Sequence, residues 1–271
     1  MKTKKFIVLI ILFAFCIAIF SGCSKKAASN EDSLSKLKAK GYVVVGLDDT
    51  FAPMGFKDTK GDIVGFDIDL AKEVFKRIGI NVKFQSIDWS MKETELNSGN
   101  IDLIWNGYSI TDERKQKVAF TNPYLENRQL IITLANSNIQ SKKDLQGKKV
   151  AVQNGSSSLD ALNKEPEVLK SLSSGKPVLF DTNNEAFMDL EAGRVDAVIA
   201  DEVLARYYMK ERGIEKYKVL QEDFGKEQYA VGIRKADNEL VSMVNSELEN
   251  MKKDGTSAEI SKKWFGSNIV K

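Results

Sequence analysis

The chain contains no histidine. That excludes Ser-His-Asp and Cys-His nucleophilic catalysis and the usual His-bearing zinc sites, a large part of the common enzyme repertoire. Cysteine is nearly absent too: Cys16 and Cys23 are the two in the chain, both close to its start. No excess of positive charge exists to attract nucleic acid, since 40 basic residues face 38 acidic ones, and nucleic-acid recognition needs a clustered basic surface. The acidic pairs Asp48-Asp49 and Asp67-x-Asp69 lack calcium-loop spacing, and Asp67 reads as a helix N-cap. No metal or cofactor is therefore expected. What remains, with 42% hydrophobic and 29% charged residues in a chain of 271, is ordinary globular material for one large or two modest domains.

Lys2, Lys4 and Lys5 precede an apolar run from Phe6 to Phe20, the pattern of an export signal over residues 1–22. As a helix, those roughly fifteen residues would reach only about 22 Å, short of the ~30 Å hydrocarbon core. The ending Phe20-Ser21-Gly22-Cys23 resembles a bacterial lipobox, so Cys23 is the expected lipidation site, and two acyl chains suffice for stable anchoring. Cys16 would leave with the signal, and the mature chain would hold neither a free thiol nor a disulfide. Loss of the three lysines would leave one basic residue fewer than the 38 acidic ones. Residues 23–33 are polar and read as a tether with a reach of roughly 17 Å.

From Leu34 onward, strands alternate with helices, which predicts parallel sheets. Tyr42 to Leu47 is a Val-rich buried strand. Asp67 to Ile78 is a helix with Leu70, Ala71, Val74, Phe75 and Ile78 on one face, stopped by Gly79. Val82 to Phe84 and Ile101 to Trp105 read as strands, Met91 to Asn97 and Thr111 to Lys117 as helices. The pattern repeats after Asn136. Ser141-x-x-Asp144 is a capping box, Val150 to Gln153 a strand, and Gly155-Ser156-Ser157-Ser158 a helix-opening turn. Val178 to Phe180, Glu185 to Glu191, Ala197 to Ala200, Val203 to Arg212 and Tyr217 to Leu220 continue as strand, helix, strand, helix, strand. After a strand-like Tyr229 to Ile233, helices Glu239 to Asp254 and Thr256 to Phe265 close the chain, the last with its own Thr256-x-x-Glu259 box.

The most informative segment runs Trp105-Asn106-Gly107-Tyr108-Ser109-Ile110-Thr111-Asp112-Glu113-Arg114, then Phe120-Thr121-Asn122-Pro123-Tyr124. A buried strand ends in small polar residues, and the next helix carries one arginine in its first turn, so donors converge at a strand's carboxyl edge. That is a pocket for a small anion. The rigid fork of Arg114 suits a carboxylate, and Ser109 with the backbone N–H groups near Gly107 can reach the remaining lone pairs.

This order resembles the polar amino acid-binding family of ABC-transporter solute-binding proteins (bacterial extracellular solute-binding protein family 3). Gly65-Phe66-Asp67-Ile68-Asp69-Leu70-Ala71, and Gly193-Arg194-Val195-Asp196-Ala197 leading to Asp201, are similar to that family's two lobe segments. The likeness runs from about Val43 to the C-terminus. It implies an α/β, two-lobed periplasmic-binding-protein-like fold of type II, each lobe a mainly parallel sheet flanked by helices. The lobes would be joined by a two-strand hinge in Phe120 to Thr133 and Glu222 to Ile233. Lobe one would comprise residues 34–127 and 229–271, and lobe two residues 128–228.

Carried over position by position, the resemblance makes Arg114 the grip on a ligand's α-carboxylate, helped by Ser109, by the backbone of Asn106 and Gly107, and by Ser156 and Ser157 of lobe two. Asp201 would pair with the α-ammonium, although it could instead simply cap the helix from Val203. The side-chain pocket would draw on Asp48, Phe51, Phe56, Trp89 and Glu95. Phe51 and Trp89 would lie on either side of the ligand, favouring a cation or a flat group, while Phe56 and Trp105 can equally be core. These residues lean towards arginine, lysine, histidine or ornithine, then glutamine or cystine. The implied protein is a monomeric, lipid-anchored receptor at the outer face of the cell membrane. It would deliver a free L-amino acid to an ABC permease by hinge closure, without chemistry of its own. Two rivals remain at this stage: a cyclohexadienyl dehydratase-like enzyme on the same fold, and a surface or sensory lipoprotein.

Overall fold

Val43, Val45 and Leu47 are fully buried along the first strand, where β-branched side chains fit a pleated surface. The computed structural model describes residues 33–271, so the signal segment, Cys23 and the tether up to residue 32 lie outside the described residues. That strand, β1 (Tyr42–Leu47), follows α1 (Ser33–Lys40). β2 (Thr50–Phe51), β3 (Gly55–Lys57) and β4 (Ile63–Val64) form a small antiparallel sheet. Then come α2 (Phe66–Arg77), β5 (Asn81–Ser86), α3 (Lys92–Asn97), β6 (Leu103–Ile104), α4 (Asp112–Lys117) and β7 (Ala119–Phe120). A long β8 (Leu125–Leu134) leads to β9 (Val150–Gln153), α5 (Ser157–Asn163), α6 (Pro166–Ser171), β10 (Val178–Phe180), α7 (Asn183–Glu191), β11 (Ala197–Asp201) and α8 (Glu202–Arg212). A second long strand, β12 (Tyr217–Tyr229), precedes β13 (Gly232–Ile233), α9 (Asn238–Lys253) and α10 (Thr256–Phe265).

Two five-stranded sheets result, ordered β5-β1-β6-β13-β7 and β10-β9-β11-β8-β12. In each, four strands run in one direction and a single strand next to the edge, β13 in the first sheet and β8 in the second, runs antiparallel to them. The chain passes between sheets at residues 121–124 and again at 230–231, a few residues from the expected boundaries. The crossing strands β8 and β12 pair with each other from Leu125 opposite Tyr229 to Leu134 opposite Tyr217. This antiparallel pair is longer than the sequence suggested, because the consecutive polar runs Gln221-Glu222-Asp223 and Lys226-Glu227-Gln228 of β12 break the period-two alternation that marks a strand.

Two capping expectations need correction. Gly65, not Asp67, is the N-cap of α2, so Asp67 falls inside the first turn with its side chain buried. Gly255 caps α10, and Thr256 is already helical, so no box forms there. The Ser141 box does form, but on a single 3₁₀ turn, Lys142–Leu145. Leu70, Ala71, Val74 and Phe75 of α2 are buried against the first sheet as their spacing predicts.

Candidate functional site

Arg114 is placed by two local devices. The Thr111 hydroxyl accepts from the Arg114 backbone N–H at 3.2 Å and so caps α4. The guanidinium turns back so that Nη1 donates to the Ser109 carbonyl at 3.0 Å and Cζ lies over the Tyr108 ring, 4.6 Å from its centroid. Nη2 donates across to the Gly155 carbonyl of lobe two at 3.2 Å. Only 3% of Arg114 is exposed, so its charge is withheld from water and available to an anion.

Asp201 ends β11 and stands at the N-cap position of α8, yet its side chain makes no cap bond. The carboxylate instead accepts from Asn127 Nδ2 at 2.5 Å, Tyr229 OH at 2.7 Å and Gln129 Nε2 at 3.0 Å. Burial first, and then the neighbouring Glu227 carboxylate, hold the Asp201 carboxyl well above the usual carboxylate range.

Ser109 and Ser157 connect these two residues. Their hydroxyls lie 3.0 Å apart across the cleft, and Gln129 Nε2 reaches both Ser157 Oγ at 3.1 Å and Asp201 Oδ1. Arg114 is thus tied to Asp201 through Ser109, whose carbonyl accepts from the guanidinium while its hydroxyl continues through Ser157 and Gln129 to the carboxylate. Ser156 caps α5 by accepting from the Leu159 N–H at 3.2 Å, which fixes the turn that presents Ser157.

Gly107 must be glycine. Its φ is +57°, and an added Cβ would lie 2.7 Å from Phe51 Cε1 and 3.2 Å from the Tyr229 ring. Asn106 Oδ1 accepts from the Asp48 N–H at 3.1 Å and holds that loop. The Asp48 carboxylate, 6% exposed, accepts from Thr50 and, across the cleft, from Gln153 Nε2 at 2.7 Å. Burial pushes its carboxyl up. Phe51 lies against Gly107 and Trp89 stands edge-on to Tyr108, so the two rings flank the polar turn.

Phe56 and Glu95 are not brought to this cluster. Phe56, half-buried on β3, packs on Tyr207 of α8 and on Trp264, and Glu95 accepts from Asn100 at the end of α3. Trp105 is fully buried beside Asp67 and Tyr124.

Sequence reasoning missed Glu227, Gln129, Asn127, Gln153 and Lys92. Three of the five are polar residues buried or half-buried on the long strands β8 and β12, and Gln153 ends the four-residue β9; polar residues on a predicted sheet face are the one signal that could have found them. A cavity of about 240 Å³ opens beside Gln129, Ser157 and Glu227. Among the described residues, no group of three or more metal-ligating side chains is arranged to hold an ion.

Residues 43–267 match the family described as "Bacterial extracellular solute-binding proteins, family 3". The chain belongs to that family. This family 3 chain is 31% identical over 257 residues to the L-cystine-binding protein of Escherichia coli (strain K12), covering 94% of each. It is 34% identical over 235 residues to the lysine/arginine/ornithine-binding periplasmic protein of the same strain, covering 84% of this chain and 88% of that one. A Streptococcus pneumoniae ABC uptake transporter substrate-binding protein, solved with bound histidine, superposes on it with a TM-score of 0.86 at 42% identity, over 89% of this chain and 98% of that one. The family 3 chain thus has the two-lobed type II periplasmic-binding-protein fold.

Proposed function

We propose that this protein is a lipid-anchored receptor on the outer face of the membrane that traps a free polar L-amino acid between its lobes and delivers it to an ABC importer. It acts as a monomer and carries out no chemistry itself. The observation that carries this reading is the path joining Arg114 to Asp201: a buried cation and a buried acid, held on different lobes, match the two ends of a zwitterion. Relatives named for cystine, for lysine, arginine and ornithine, and a neighbour holding histidine, support an amino acid as the ligand class.

Within that class the lean is cationic. Asp48, Asp201 and Glu227 place three acids around the cleft, and Phe51 and Trp89 supply ring faces. Glutamine and cystine are the next choices. Anchoring is assigned to Cys23, and none of the described helices is long and apolar enough to cross a membrane.

Thermal-shift screening against the twenty amino acids plus ornithine, citrulline and cystine tests the reading, because a ligand that binds only the native state raises its melting temperature. A selective rise with the basic amino acids is expected. A flat response to the whole panel would remove the proposal. Membrane fractionation of Cys23→Ser tests the anchor, with release into the soluble fraction as the expected result.

A further inference from the structure

Asp201 and Glu227 stand on different strands, β11 and the crossing strand β12, yet they share their donors. The Asn127 amide nitrogen lies 2.5 Å from Asp201 Oδ1 and 2.6 Å from Glu227 Oε1, and the Gln129 amide nitrogen lies 3.0 and 2.8 Å from the same two oxygens. Each amide nitrogen thus bridges both acids, which brings the carboxylates side by side. Glu227 also accepts from the Ser109 hydroxyl of lobe one at 2.6 Å and faces the Ser157 hydroxyl of lobe two at 3.4 Å, so it touches both halves of the cleft.

All of these donors are neutral. Tyr229 OH completes the set on Asp201, and among the described residues neither carboxylate forms an ion pair. The remaining charged groups around the adjoining cavity are Asp112 on α4, Asp160 and Lys164 on and just past α5, Glu165, and Lys226 on β12. Two acids this close in a poorly hydrated site cannot both be charged without a cation beside them, so protons leave the pair in two coupled steps. Asp201 is 4% exposed and Glu227 only half-buried. The buried member is the one that keeps the shared proton, consistent with the direction in which burial and Glu227 push Asp201.

We propose that Glu227 is a second, hinge-borne acid of the ammonium site: the empty pair shares one proton, and an incoming α-ammonium takes its place, so that capture of an amino acid expels that proton into solvent. No covalent bond changes. The proton passes from the carboxyl pair to water as the ligand's N–H groups take over the same oxygens. This inference rests on the amino-acid reading above and adds a pH dependence to it. Because a proton is released, affinity rises with pH, by up to tenfold per unit, across the upper titration step of the empty pair and then levels off.

The test is calorimetry of the full mature chain in buffers of different ionisation enthalpy, with L-arginine as probe and L-glutamine as the neutral comparison. Wild-type protein is expected to release a substantial fraction of one proton with either ligand. Glu227→Gln keeps the size of the side chain and an oxygen for Ser109; Asp201 stays buried but loses its charged neighbour, so the variant is expected to release a clearly smaller fraction of a proton, with the rise of affinity moved to lower pH and affinity reduced about tenfold. Proton release that is the same in both proteins would overturn the inference while leaving the receptor function intact. Failure of the wild type to bind any of the twenty amino acids would remove the functional reading itself, and this inference with it. Carboxyl-carbon NMR titration of the ligand-free proteins gives a second readout: two coupled steps in wild type and one in Glu227→Gln support the pair, and an Asp201 titration identical in both contradicts it.

Discussion

The Lys92 ammonium, on the first residue of α3 in lobe one, donates to the Gly155 carbonyl of lobe two at 2.8 Å. Arg114 Nη2 reaches the same oxygen at 3.2 Å. Two cations thus converge on one carbonyl at the mouth of the turn that presents Ser156 and Ser157. Lys92 is 2% exposed, and burial, then the nearby Arg114 charge, push its pKa down to about 8. The contact ties the two lobes together across the cleft.

Lys92→Met is therefore expected to leave the fold intact and loosen closure. Charge-assisted bonds of this kind contribute roughly 1.5 to 3 kcal/mol, about a tenfold to hundredfold weaker amino-acid affinity. Small-angle scattering should show a larger radius of gyration for the variant with ligand present. An unchanged radius together with unchanged affinity would remove the latch.

Asp67 sets a second, pH-dependent effect. Its carboxylate accepts from the Gly107 N–H at 2.7 Å, and Oδ1 has no partner among the described residues, although Trp105 and Tyr124 crowd around it. Burial, the largest influence, holds its carboxyl at about 7 rather than the unfolded 3.8. Between those values the native state keeps a proton that the unfolded chain has lost, so stability falls as pH rises through the window and levels off above it, by about 1.4 kcal/mol per unit of difference. Asp67→Asn should abolish that slope. Denaturant midpoints of both proteins across the window check this, and parallel curves would contradict it.

Gly107→Ala should destabilise the protein by roughly 2 to 4 kcal/mol, combining a left-handed backbone with overpacking. The added methyl meets Phe51 and the Tyr229 ring, both of which would have to move. Thermal denaturation reads the loss. A melting temperature equal to wild type would show that the turn is less constrained than its φ of +57° indicates.

Asp48→Asn separates ligand classes. If Asp48 faces a cationic side chain, the substitution weakens L-arginine and L-lysine binding by at least about tenfold, or ~1.4 kcal/mol, relative to L-glutamine. It also touches the cross-cleft bond from Gln153, so the ratio between ligands, rather than either affinity, is the quantity to compare. Equal losses for all three would assign Asp48 to closure alone.

What the sequence made legible was local. The helix beginning at Thr111 with an arginine in its first turn is fixed by local sequence, and the apolar spacing of α2 by its own periodicity, so both were found where the structure has them. Asp67 was misread because two residues compete for one cap and the backbone at Gly65 takes it. Phe56 was assigned to the ligand because nothing in a three-residue strand reveals which sheet face it occupies; pairing with Thr50 and Val64 decides that. Glu227 and Gln129 are the harder case. The register of β12 against β8 slips between Val219 and Asp223 and again between Asp223 and Lys226, and the second slip, of one residue, changes which face later residues occupy. Only the assembled sheet shows that their side chains meet Asp201.

The most direct measurement is the affinity of Arg114→Ala for the amino acid that stabilises the wild type most. Removing the guanidinium leaves a buried ligand carboxylate without its cation, which costs about 3 to 5 kcal/mol. Calorimetry is therefore predicted to show binding weakened more than about a hundredfold, with circular dichroism unchanged. Wild-type affinity in that variant would contradict the account.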